Sequence, residues 1–218
     1  MNQEAKVVLP ENLNHYIADY LRRKIFCGDS YRKGDQIVER DIAEELNVSR
    51  SPVREALKEL EHQGIVVAKP RVGWFVAKHT EKELREIMEV RTMLELRVFE
   101  DLITGDRLDK EDFALLDGHM KKEKRMIAEK DSWLRTVGFA DLDMEFHMFL
   151  LEKTDFSLIK NILRSLYYQI RLSLLNNMCS DDQVELFHRR HVIILDGLKN
   201  KDFSKIEKVL SIRRQWYK

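Results

Sequence analysis

Residues that constrain a chain covalently or conformationally are scarce in this sequence. Its 218 residues include two cysteines and three prolines, and 38 Lys and Arg balance 38 Asp and Glu. Cys27 and Cys179 cannot build a disulfide framework, which points to a reducing compartment, the cytoplasm. No run of 18 uncharged apolar residues occurs, so no membrane-spanning helix is expected. The first residues also lack the short apolar core of a signal peptide. Repeats and low-complexity tracts are absent. What remains is 44% apolar and 35% charged residues, the balance of a helix-rich soluble protein with a real core. The length accommodates one large or two modest domains.

Between Ile37 and Ala77 the pattern is that of two short helices, a tight turn and a small two-stranded wing. Ile42, Ala43 and Leu46 give the first helix an apolar face, and Asn47-Val48 forms the turn. Val53, Ala56, Leu57 and Leu60 recur at i, i+3, i+4 and i+7 on the second helix, which Gly64 stops. That helix opens on Ser49-Arg50-Ser51-Pro52-Val53-Arg54. Four residues apart, Arg50 and Arg54 share one face, opposite the Val53/Leu57 stripe. Such a front fits a DNA recognition helix. Arginine donates two bonds to guanine O6/N7, and serine or a free N–H at a helix start meets phosphate.

NVSRSPVREALKELEHQG followed by RVGWFV resembles the winged helix-turn-helix of the GntR family of bacterial transcription regulators. The likeness reaches back over a first helix (Leu13 to Phe26), the Gly34 turn and Glu39-Arg40. It implies DNA contacts from Arg40, Arg50, Ser51, Pro52, Arg54 and Gly73, with Lys69 and Arg71 as wing-tip donors. Gly73 suits a turn with unusual backbone angles. The zero net charge is a weak objection to DNA binding. Arg50, Arg54, Lys58, Lys69 and Arg71 are locally basic, and screening over about 8–10 Å lets local charge govern contact.

The first nine residues carry no pattern and are expected to fray. Leu13, Ile17, Leu21 and Ile25 recur every fourth residue, and Gly28 ends that helix. Past the wing, Lys78-His79-Thr80 is a short connector in which Thr80 caps the next helix with Glu83 as its capping-box partner. Only helices follow, over 81–104, 109–130, 133–153, 156–178, 182–200 and 203–217. Gly105, Asp109, Thr154-Asp155, Ser180-Asp181 and Asn200–Asp202 supply breaks and caps. The fold class is mostly α: residues 1–77 form the winged helix-turn-helix, 78–80 the linker, and 81–218 an antiparallel six-helix bundle.

That bundle is similar to the effector domain of the FadR branch of the same family, the FCD domain. The likeness runs through ELREIMEVRTMLELRVFEDLI, DLDMEFHMFLLEKTDFSLI and RHVIILDGLKNKDFSKIEKVL. It implies a homodimeric regulator, commonly a repressor, acting on near-palindromic double-stranded operator DNA. A small organic acid bound in the bundle, often through a divalent metal, alters operator affinity. The alternative is a bundle that only dimerises and binds no ligand.

Asp143 and His147 stand at i, i+4 on one helical face, and His191 matches the third ligand. The fourth ligand position falls on Arg213, which is permanently charged and cannot ligate a metal. Three ligands with water in the open positions still suit zinc, nickel or manganese. Alternatively, the Arg213 guanidinium takes the metal's place against Asp143 or an effector carboxylate. His188 is a substitute ligand only if its helix is rotated. On spacing alone, Asp143/His147 reads as a surface pair and His191 as a buried, hydrogen-bonded ring. Arg91 matches a family arginine that faces the cavity, or else pairs with Glu95 along the helix. Lys121, Lys122, Lys124 and Arg125 read as a solvated face, and Tyr167, Tyr168, Leu172 and Leu175 as core or dimer contact. A hydrolytic metal centre is the rival class. It lacks a general base like the Glu of H-E-x-x-H and leaves the N-terminal third unexplained, so the chain is not expected to be an enzyme.

Overall fold

The computed structural model describes residues 12–27, 30–177 and 181–213; the side chains of 176, 177, 181, 212 and 213 fall outside that description. Two compact units divide the chain, Met1–Ala77 and Lys78–Lys218.

The first unit runs α1 (Leu13–Phe26), β1 (Gln36–Ile37), α2 (Glu39–Glu45), α3 (Arg50–His62), β2 (Val66–Lys69) and β3 (Gly73–Val76). Ile17, Leu21 and Ile25 of α1 are buried, as are Val53, Ala56, Leu57 and Leu60 of α3. These two stripes follow the helical period and close on each other. Asn47, with φ 52°, turns the chain between α2 and α3, and Gly64, with φ 70°, follows the end of α3. The wing gains a strand beyond the two expected. Antiparallel β2 and β3 pair from Val66↔Val76 to Lys69↔Gly73. On the other edge of β3, Gln36 pairs with Phe75 and Ile37 with Trp74. β1 is two residues long, too short to show an alternation, and buried Ile37 is its only apolar signal.

The second unit comprises α4 (Glu81–Thr104), α5 (Lys110–Ile127), α6 (Ser132–Glu152), α7 (Ser157–Asn177), α8 (Asp181–Lys199) and α9 (Phe203–Arg213). The six expected helices are present, and apart from the end of the last, which lies outside the described residues, their ends shift by up to three residues, the ordinary uncertainty of frayed turns. Thr80 and Glu83 form the capping box at the start of α4, and Asp109 and Asp112 form a second one at α5. Val98, Phe99, Leu116, Phe146, Leu150, Leu163, Ile194 and Leu210 belong to one core drawn from all six helices. Gly197 lets α9 approach α8 closely: a Cβ there would stand 2.5 Å from Ile206 Cγ1. Tyr167, Leu172 and Leu175 are core residues, with Tyr168 half-buried. The frayed start, the Gly28 stop, Cys179, Ser180 and the last residues of the C-terminal helix lie outside the described residues.

Candidate functional site

In the first unit, Arg50, Ser51 and Arg54 are exposed on the front of α3, while Pro52 is half-buried. Ser49 caps α3 with extended backbone and no side-chain capping bond, so the first-turn N–H groups lack that partner. Arg40 is exposed on α2, 3.4 Å from Asp41 and 3.6 Å from Glu44. At the wing tip, Val72 N–H donates to Lys69 carbonyl at 3.0 Å. Arg71 (φ 62°) and Gly73 (φ 124°) take the left-handed backbone that closes this turn. The Lys69 ammonium lies 4.1 Å from the centroid of the Phe75 ring. Arg54 is not free. Its Nε and Nη2 donate to the two oxygens of Glu39 at 2.9 and 2.8 Å, and Trp74 Nε1 donates to the same carboxylate at 3.0 Å.

In the second unit, the three candidate ligands converge. Asp143 and His147 lie on α6 and His191 on α8, all buried. His191 Nε2 is 3.2 Å from His147 Nε2 and 3.3 Å from Asp143 Oδ1, and His147 Nε2 is 4.0 Å from that oxygen. With bonds of about 2.0–2.2 Å these separations suit donors sharing one ion. Burial overturns the surface-pair reading of Asp143 and His147: these positions face the core of α6 beside Phe146, 0% exposed.

Two carboxylates stand behind the rings: Glu123, which sequence reasoning missed, and Glu95, which it named only as a partner for Arg91. Glu123 of α5, 0% exposed, accepts from His191 Nδ1 at 2.7 Å and His188 Nδ1 at 2.8 Å, with His119 Nε2 at 3.4 Å. Glu95 of α4 lies 2.9 Å from His147 Nδ1, out of line for a well-formed hydrogen bond. Carboxylates behind Nδ1 leave Nε2 facing the ligating position, the usual arrangement around metal-bound histidine. His188 is thereby committed to Glu123 and does not join the trio. Arg91 makes the intrahelical pair expected as one of its two alternatives and also approaches the trio. Its Nε donates to Glu95 at 2.7 Å, while Nη2 lies 3.8 Å from Asp143 Oδ2. The guanidinium also sits over the Tyr167 ring at 5.0 Å. The Arg213 side chain lies outside the described residues.

Charge sorts the two histidines. Burial disfavours a charged His191, but Glu123 and Asp143 outweigh it and push the ring up to about 9. Burial and the Arg91 charge hold His147 down at about 4, against Glu95 and Asp143. Glu123, which burial alone would raise, is held at about 2 by His191 and the hydrogen bonds of three histidines. Asp143 is likewise kept far below the ordinary carboxylate range, burial being overcome by Arg91 and the two rings. A divalent ion held by these three donors would have to displace the His191 proton. A groove of about 590 Å³ runs between α5 and α6. It is lined by Leu115, Leu116, Met148, Phe149 and Phe146 rather than by the ligand trio, so it is not the cavity expected around those residues.

The profile of "Bacterial regulatory proteins, gntR family" matches residues 13–76, and that of the FCD domain matches residues 86–212. The chain belongs to the GntR family and carries an FCD domain. It is 33% identical to the gluconate operon transcriptional repressor of Bacillus subtilis (strain 168), over 85% of this chain and 75% of that one. It is 23% identical to the HTH-type transcriptional repressor RspR of Escherichia coli (strain K12), over 97% and 90%. Among solved structures, E. coli McbR/YncC superposes with a TM-score of 0.75 at 20% identity, covering 93% of each chain. A putative transcriptional regulator GntR from Rhodococcus sp. RHA1 gives 0.71 at 21%, over 94% and 96%. The protein is a DNA-binding transcription regulator and not an enzyme, with repressors among its relatives. Among the described residues, no helix is long and apolar enough to cross a membrane.

Proposed function

We propose that this regulator represses from the cytoplasm, as a homodimer on a near-palindromic operator, and is released by a small organic acid held at a divalent metal. Arg50 and Arg54 are the base readers. Ser51 and the open N–H groups of α3 meet phosphate while Pro52, which has no N–H to donate, packs beside the backbone, with Arg40, Lys69, Arg71 and the Gly73 backbone as flanking contacts. Asp143, His147 and His191 hold the ion, which when bound offers its open positions to the oxygens of the acid. The acid shifts the population toward the form that binds operator less tightly.

One observation carries the effector reading. Arg91 is 1% exposed, and its Nη2 has no hydrogen-bond partner among the described residues. A buried donor left unsatisfied costs about 1–3 kcal/mol, and a carboxylate on the ion beside Asp143 would satisfy it. The dimer-only reading draws support from the same residue, because Arg91 is already paired with Glu95 at 2.7 Å. Elemental analysis together with a thermal-shift screen of small carboxylates separates the two. Gluconate belongs in that screen, given the operon for which the Bacillus relative is named. A sensor gains about 2.7 kcal/mol with ligand at 100 times Kd, and His147→Ala combined with His191→Ala abolishes the gain. If that double variant keeps its metal content and its response, the sensor reading fails.

For the dimer, α4 leaves Val90 and Met93 exposed and α7 leaves Leu158 and Ile162 exposed. Arg91 over Tyr167 and Arg97 over Phe156 put the two helices antiparallel. Met93 then stands level with Ile162, forming an apolar face suited to a self-complementary two-fold contact.

A further inference from the structure

We propose that Glu39, held by the Trp74 indole, is a positioning residue that fixes the Arg54 guanidinium for reading a single base pair. The inference rests on the reading of α3 as the recognition helix and adds to it two residues from other elements. Glu39 opens α2, Arg54 lies on α3 and Trp74 on β3.

The Glu39 side chain is 19% exposed, whereas that of Arg54 is 55% exposed. The carboxylate therefore sits behind the guanidinium rather than in front of it. One oxygen accepts Nε of Arg54 at 2.9 Å, and the other accepts Nη2 at 2.8 Å. A guanidinium has five N–H donors in a rigid plane. This side-on fork uses two of them and leaves Nη1 and the second N–H of Nη2. Those remaining donors make up the end-on pair that matches guanine O6 and N7.

Glu39 itself is not free to follow Arg54. Trp74 Nε1 donates to Oε1 at 3.0 Å. The indole is buried, and its backbone pairs with Ile37 on one side and Ala68 on the other. The wing thus holds the carboxylate, and the carboxylate holds the arginine. Hydrogen bonds from Arg54 keep Glu39 ionised, outweighing its partial burial. An immobilised arginine loses less rotamer freedom per bond formed. Its partly neutralised charge also weakens the competing pull of phosphate, so the pairing favours base reading over backbone attraction.

The test is selection of bound duplexes from a randomised DNA library, using the full chain and the variants Glu39→Gln, Trp74→Phe, Arg54→Ala and Arg50→Ala. Salt titration on the selected duplex accompanies it, and circular dichroism checks folding. Arg54→Ala loses preference at one base-pair position per half-site. Glu39→Gln loses about tenfold of discrimination at that same position and keeps it elsewhere. Its plot of log K against log salt steepens by about one, because the released arginine turns to phosphate. Trp74→Phe keeps the ring and removes the N–H, and it loses less at the same position. A role confined to domain stability would lower the melting temperature of Glu39→Gln and leave its base preference and salt slope unchanged, and that result overturns the proposal. Loss spread evenly over all positions overturns it too. A selected motif insensitive to both Arg50→Ala and Arg54→Ala would instead overturn the recognition-helix reading beneath it.

Discussion

At the scale of single residues, the two histidines of the candidate metal site carry opposite pH dependences. His191, raised to about 9 from an ordinary value near 6.5, contributes stability that is complete below about pH 6.5. That contribution is lost as pH climbs through 9. His147, lowered to about 4, contributes stability that is complete above about pH 6.5 and lost as pH falls through 4. Thermal melts of chelator-treated protein should therefore peak near pH 6.5 as far as these two rings decide it. Metal uptake at the proposed site would expel the His191 proton. Calorimetric titration with zinc at pH 7, repeated in buffers of different ionisation enthalpy, should register about one proton released; none released would contradict this charge assignment. On the DNA side, Arg50 is exposed at the start of α3. Arg50→Ala should cost about 1–3 kcal/mol on the operator and relax preference at its base pair. Unchanged affinity in a competition titration would remove Arg50 from the readers.

At the scale of elements, α4 depends on its first turn. Thr80 accepts from Glu83 N–H at 3.2 Å, and the Glu83 carboxylate accepts from Thr80 N–H at 2.7 Å. Thr80→Ala should lower stability by about 0.5–2 kcal/mol, read from the urea midpoint at constant m-value. That capping box was legible because its parts sit three residues apart in sequence. The stripes of α1 and α3 were legible because helical period writes burial directly into spacing. β1 was not, since two residues cannot display an alternation. Glu123 was hidden in another way. It sits inside Lys121-Lys122-Glu123-Lys124-Arg125, whose other four members are exposed. It nonetheless follows buried Leu116 and Met120 by seven and three residues, on the core side of α5. Position on that stripe, rather than residue type, was the signal. Glu39 and Trp74 could not be joined from sequence, because 35 residues separate them and only the pairing of β3 brings them together.

At the scale of the whole molecule, a formal charge of zero gives little long-range attraction to DNA, so affinity must be built from local contacts. Two linked heads would multiply such contacts, which is what the proposed dimer supplies. Met93→Glu combined with Ile162→Glu should convert a dimer to a monomer in sedimentation velocity and weaken operator binding by about a hundredfold, the low end of avidity losses of about 10²–10⁴. A variant that stays dimeric would move the interface away from α4 and α7.

The ligand trio and its supporting carboxylates come from α4, α5, α6 and α8, which contribute Glu95, Glu123, Asp143 with His147, and His191. An ion bound there would act as a rivet, gripping α6 and α8 directly and α4 and α5 through the carboxylates behind the rings. Its mechanical effect would be stiffness rather than displacement, with the four helices sharing a single compliance. Amide exchange measured with and without zinc should then slow in all four helices together and in the same proportion. A bundle whose flexibility is set at one interior point needs no large movement to report that the point is filled.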